Sequence, residues 1–61
     1  MTEAERRKLE EELKWLRRQL TESEARLAGA PQGTAVQESW RARSKQIQTQ
    51  IDQIEAKLKA G

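Results

Sequence analysis

Between residues 9 and 27 the apolar positions return at alternating steps of four and three, at Leu9, Leu13, Leu16, Leu20 and Leu27, with Ser23 in the one remaining place. This is a heptad seam, in which Leu13, Leu20 and Leu27 take position a and Leu9, Leu16 and Ser23 take position d. The stripe is too narrow for a helix standing alone, because its leucines would lie in water along an otherwise charged rod. A partner helix must cover them, and the same chain carries one. Trp40, Ile47 and Ile54 at d, with Ser44, Ile51 and Leu58 at a, form a second seam of similar length.

The ends of both helices are marked by local chemistry. Thr2-Glu3-Ala4-Glu5 has the form of a capping box, in which the Thr2 hydroxyl accepts from the Glu5 N–H and the Glu5 side chain returns to the Thr2 N–H. Helix one is therefore expected over about residues 3–28, with Gly29 taking the left-handed conformation beyond its end and Pro31 preventing resumption. Residues 29–33 read as a tight hairpin loop. A second capping box, Thr34-Ala35-Val36-Gln37, opens helix two, expected over about residues 35–60. The expected fold is all-α, a single domain over residues 1–61: an antiparallel two-helix coiled-coil hairpin that dimerises into a four-helix bundle.

Folding the chain symmetrically about the loop sets level those residues whose numbers add to about 63. Leu27 then meets Val36, Ser23 meets Trp40, Leu20 meets Ser44, Leu16 meets Ile47, Leu13 meets Ile51 and Leu9 meets Ile54. Each serine faces a large apolar side chain, which keeps the layer volumes even. Trp40 is expected to close the loop end over Ser23. At the flanks Glu24 would face Arg41 and Glu5 would face Lys57, while Glu10 would meet Glu55 unfavourably; exposed pairs of this kind contribute less than ~1 kcal/mol each.

Composition narrows the function classes. A chain of 61 residues supports one thin core, and small folds usually add disulfides, a metal or a partner subunit. Without cysteine or histidine, disulfides are excluded, and a zinc site would need carboxylates alone, against that ion's preference for N and S ligands. The chain also lacks tyrosine and any Gly-rich phosphate loop, and Glu10, Glu11 and Glu12 diverge around a helix. No enzyme, cofactor or small-molecule substrate is expected. No apolar run approaches the ~18 residues needed to span a bilayer, and mixed charge on the polar faces argues against a membrane-surface helix. The expectation is a soluble, cytoplasmic protein. Twelve Lys and Arg against ten Asp and Glu leave a net charge of +2, too small to imply nucleic acid by itself.

Three uses of such a hairpin remain. The favoured one is a protein interaction module whose partner is a second copy of the chain, with Trp15, Gln19, Val36, Gln46 and Gln50 as candidate interface residues. Trp15 falls at position c, outside the seam, and tryptophan is over-represented among binding hot spots; its plainer role is to lie over neighbouring aliphatic stems with a cation–π contact to Arg18. Gln46, Gln48, Gln50 and Gln53 surround the isoleucines and make a polar but uncharged flank, which tolerates burial better than Lys or Glu does. The second use is a nucleic-acid regulator working through a mid-hairpin belt of Lys14, Arg17, Arg18, Arg41, Arg43 and Lys45. The third is an adaptor that docks the helix of another protein.

Overall fold

The computed structural model describes all 61 residues and is helical apart from its turn and its extreme ends. Helix α1 spans Glu3–Gly29 and helix α2 spans Ala35–Ala60. They pack against each other as an antiparallel hairpin with Cα extents of 45 × 16 × 11 Å. No helix is long and apolar enough to cross a membrane.

Both N-termini are capped by threonine. The Thr2 Oγ1 accepts from the Glu5 N–H and donates back to the Glu5 carboxylate at 3.2 Å, so the Glu5 side chain returns to the hydroxyl instead of the Thr2 backbone. At α2 the Thr34 Oγ1 accepts from the Gln37 N–H and donates to the Pro31 carbonyl at 2.7 Å. The Gln37 side chain reaches one residue further back than a simple capping box requires. Its Oε1 accepts from the Gly33 N–H at 2.8 Å and ties the turn to the second helix.

The glycine expected to be left-handed is not the one that is. Gly29 stays helical as the last residue of α1, and the glycine with positive φ is Gly33, at +76°. Proline explains the exchange. A residue preceding proline is driven out of the helical region by the ring, and Ala30 accordingly sits at φ −77°, ψ 143° and stops α1 without a left-handed residue. The reversal of direction is left to Gly33. These two glycines should respond oppositely to alanine. Nothing lies within 4 Å of a Cβ built on Gly29, so Gly29→Ala should stabilise by about 0.5 to 1 kcal/mol. Gly33→Ala meets no neighbour either, but forces an L side chain into the left-handed region and should cost about 1 kcal/mol or more. Thermal melts of the two variants should move to opposite sides of the parent.

The core is one side chain thick. Leu13, Leu16, Ile47, Ile51 and Ile54 are buried, with Leu9, Leu20 and Leu58 half-buried against them. Leu27 and Trp40 are half-buried at the loop end. Ser23 is as deeply buried as any residue, at 2% exposure, and its hydroxyl lies 2.7 Å from that of Ser44.

This serine pair corrects the expected register. With Ser23 level with Ser44, facing residues have numbers that add to 67, one helical turn from the symmetric folding. Leu9 then meets Leu58, Leu13 meets Ile54, Leu16 meets Ile51, Leu20 meets Ile47 and Leu27 meets Trp40, so every layer sets an a residue against a d residue. The pairings of Ser23 with Trp40 and of Leu20 with Ser44 do not form. The physical reason is hydrogen bonding. A hydroxyl buried against tryptophan or leucine leaves its partner unmade at a cost of about 1 to 3 kcal/mol, whereas two facing serines satisfy each other. No buried side-chain nitrogen or oxygen lacks a partner. Volume matching, the argument for setting each serine against a large residue, is the weaker force here.

Candidate interaction face

The two broad sides of the hairpin differ in kind. One side carries positions b and e of the heptads and is knitted by its own charges. Arg17 reaches across from α1 to Glu55 at 2.8 Å, Gln48 donates to Asp52 at 3.0 Å and Arg41 pairs with Glu38 at 2.6 Å. The expected flank pairs are replaced: Arg41 takes Glu38 of its own helix instead of Glu24, and Glu55 meets Arg17 instead of Glu10. Both ion pairs are largely exposed and contribute little to stability.

The other side carries positions c and g, and neither ion pair lies on it. A groove between the helices runs its whole length as a chain of hollows. At the open end Met1, Glu5 and Lys8 border the first, which continues through Leu9, Glu12 and Lys57 into the next. Trp15, Leu16 and Gln50 are shared with the hollow after it. Gln19 and Arg43 lead on to the last, beside Trp40 at the loop end. Its floor includes the seam itself, because Leu16, Ile47 and Ile54 all border it. A core one side chain thick thus comes close to the surface on this side.

Trp15 stands near the middle of that groove and is 58% exposed. Gln46, Gln50 and Gln53 line the opposite bank from α2. The expected interface residues Trp15, Gln19, Gln46 and Gln50 border a single hollow. Val36, also exposed at 55%, is not among them and lies in the first turn of α2 at the loop end. Met1 is the third large exposed apolar side chain. Gln48, grouped by sequence with its neighbouring glutamines, points to the charged side and bonds to Asp52.

The chain matches no protein-family model, no curated protein and no solved structure.

The basic residues do not form the expected belt. The one-turn change of register carries Arg41, Arg43 and Lys45 about 6 Å further toward the loop than symmetric folding would, away from Lys14, Arg17 and Arg18. Two of the six are engaged with carboxylates, Arg17 with Glu55 and Arg41 with Glu38. Arg43 borders the Trp15 groove on the opposite side from both. Nor does Trp15 carry the cation–π contact expected from Arg18. The guanidinium of Arg26 lies 5.3 Å from the ring centroid of Trp40 instead, sheltering the tryptophan where the small serine layer leaves room. No three or more acidic side chains gather where a metal ion could be held.

Gln53, part of the glutamine flank but not among the expected interface residues, belongs to the groove as closely as Gln50 does, and Met1 folds back over the end of α2 at Gly61. Position c and g labels taken on both helices together would have found Gln53; nothing in the pattern indicates the path of Met1.

Proposed function

We propose that this chain is a non-enzymatic self-association module, a helical hairpin that dimerises through its groove side into a four-helix bundle. The observation that carries the reading is Trp15, more than half exposed at the middle of a face whose banks are glutamine and whose floor is the leucine–isoleucine seam. Burying a tryptophan recovers a large apolar area, and glutamine accepts burial without the desolvation cost of a full charge. The opposite side is already occupied with its own salt bridges and would have to give them up. Size points the same way. Five buried apolar side chains make a thin core for 61 residues, and without disulfides a second copy supplies the missing burial. The face is a strip 45 by 16 Å in Cα extent, long enough for a partner helix pair to lie along the whole of it.

Light scattering or sedimentation equilibrium at micromolar concentration should return the mass of two chains. Trp15→Ala should weaken association by about thirtyfold or more, the effect of losing a hot-spot side chain worth ~2 kcal/mol, while helicity is retained at high protein concentration. A mass of one chain for the unaltered protein overturns the proposal.

A further inference from the structure

We infer that the two copies pack with α1 antiparallel to α1 of the partner, their two-fold axis passing beside Trp15, so that the two loops lie at opposite ends of the bundle. This rests on the self-association reading and adds to it a geometry. The first observation is the order of side chains along α1 on the groove side: Glu5, Lys8, Glu12, Trp15, Gln19, Glu22 and Arg26. Reversed about Trp15, this series complements itself. Glu5 faces the partner's Arg26, Lys8 faces the partner's Glu22, Glu12 faces the partner's Gln19, and Trp15 meets its own copy. An isologous two-fold contact requires this kind of self-complementarity.

Helix α2 obeys the same axis through the register that the serine pair sets. Gln50 comes opposite the partner's Gln53, Lys57 opposite the partner's Gln46, and Arg43 opposite the partner's Ala60. No like charges are opposed. At the extremes, Val36 comes level with the end of the partner where Met1 folds over Gly61, so the three large exposed apolar residues of the chain, Met1, Trp15 and Val36, are all provided for.

Net charge selects the same direction. The loop half, residues 17–50, holds six Lys and Arg against three Asp and Glu, while the open half holds six against seven. Opposed loops lay the basic half over the slightly acidic one. The alternative, with both loops at one end, stacks the two basic halves on each other and sets Arg26 beside the partner's Arg43.

The chain has no cysteine, so a spin label placed at Gln32→Cys in the exposed turn reports one distance per dimer and leaves the groove untouched. Opposed loops should give a separation of about 50 Å, from ~1.5 Å of rise per residue; a separation below about 25 Å overturns the inference while self-association stands. Absence of any dipolar coupling together with a one-chain mass overturns self-association itself, and with it this geometry. A charge exchange adds an independent check. Lys8→Glu should weaken association by roughly three- to tenfold, since the pair occurs twice in the dimer, and Lys8→Glu combined with Glu22→Lys should restore it. Failure of the second change to restore association contradicts the opposed packing.

Discussion

Ile51→Ala is expected to leave the hairpin largely unfolded at room temperature in the concentration range where it is monomeric. Ile51 is the least exposed apolar residue, at 3%, and it lies at mid-length, level with Leu16. Truncating such a side chain removes its transfer free energy and leaves a cavity, together about 2 to 4 kcal/mol. A single core in a chain of this size supplies only ~3 to 5 kcal/mol, so the loss consumes most of the stability. Helix α2 does not survive alone, because its helicity depends on the seam being covered. Far-UV circular dichroism on heating checks this: the unaltered chain should show a cooperative melt, and the variant a weak signal with no clear transition. Ile51→Val, which removes one methylene, should keep the transition and lower it by about 4 to 8 °C. A melt for Ile51→Ala within a few degrees of the parent would mean that the seam does not hold the hairpin.

The serine layer should show the second large effect, and one whose pattern differs from that of an apolar layer. Ser44→Ala strands the buried Ser23 hydroxyl at a cost of about 1 to 3 kcal/mol, whereas Ser23→Ala leaves the half-buried Ser44 within reach of water and should cost less. Replacing both removes the stranded group altogether, so the double variant should be destabilised by clearly less than the sum of the singles. Such coupling is the signature of a direct bond; strict additivity in denaturant titrations would count against it. The double variant should also lose specificity. With alanine at both places no hydroxyl penalises a slip of one turn, and the register in which Leu16 meets Ile47 becomes competitive with the one in which it meets Ile51. Nuclear Overhauser contacts from the Leu16 methyls distinguish the two: to the isoleucines around Ile51 in the unaltered chain, where Leu16 borders both Ile47 and Ile54, and additionally to the methyl at position 44 in the double variant, which a slip of one turn brings against Leu16. A similar device is known where one polar residue in an apolar seam sets coiled-coil register at some expense of stability.

The glycine and serine results share a lesson. Pro31 and Gly33 both stand in the sequence, yet Gly29 resembles a helix-ending glycine and suggests a symmetric loop. The restriction that a proline places on the residue before it acts at Ala30 and leaves Gly29 helical, which lengthens α1 and moves the turn toward Gly33. That displacement accompanies the altered register. The new register brings Glu55 within reach of Arg17 and draws Arg41, Arg43 and Lys45 away from Lys14, Arg17 and Arg18, while Arg41 pairs within its own helix with Glu38.

The candidate face was legible in part. Trp15 stood out because it is a large apolar residue off the seam, and Gln19, Gln46 and Gln50 because uncharged flanks are rare in a chain this rich in charge. What the one-dimensional pattern lacked was the side. Gln46 and Gln48 are two residues apart and differ by about 200° around a helix of 3.6 residues per turn; only the packing of α2 on α1 shows that Gln46 joins Trp15 while Gln48 turns to Asp52.

By itself the amino-acid sequence determined two helices, their seams, the threonine caps and the antiparallel pairing, because periodicity and capping are local properties written within a few turns of chain. The tertiary structure alone decided the register, the Ser23–Ser44 bond, the Arg26–Trp40 contact and the division into a salt-bridged side and a grooved side. Each of these depends on which residues meet across the hairpin, and a heptad repeat is satisfied nearly as well one turn away. The buried Ser23 hydroxyl, needing Ser44 in place of water, removes that near-degeneracy.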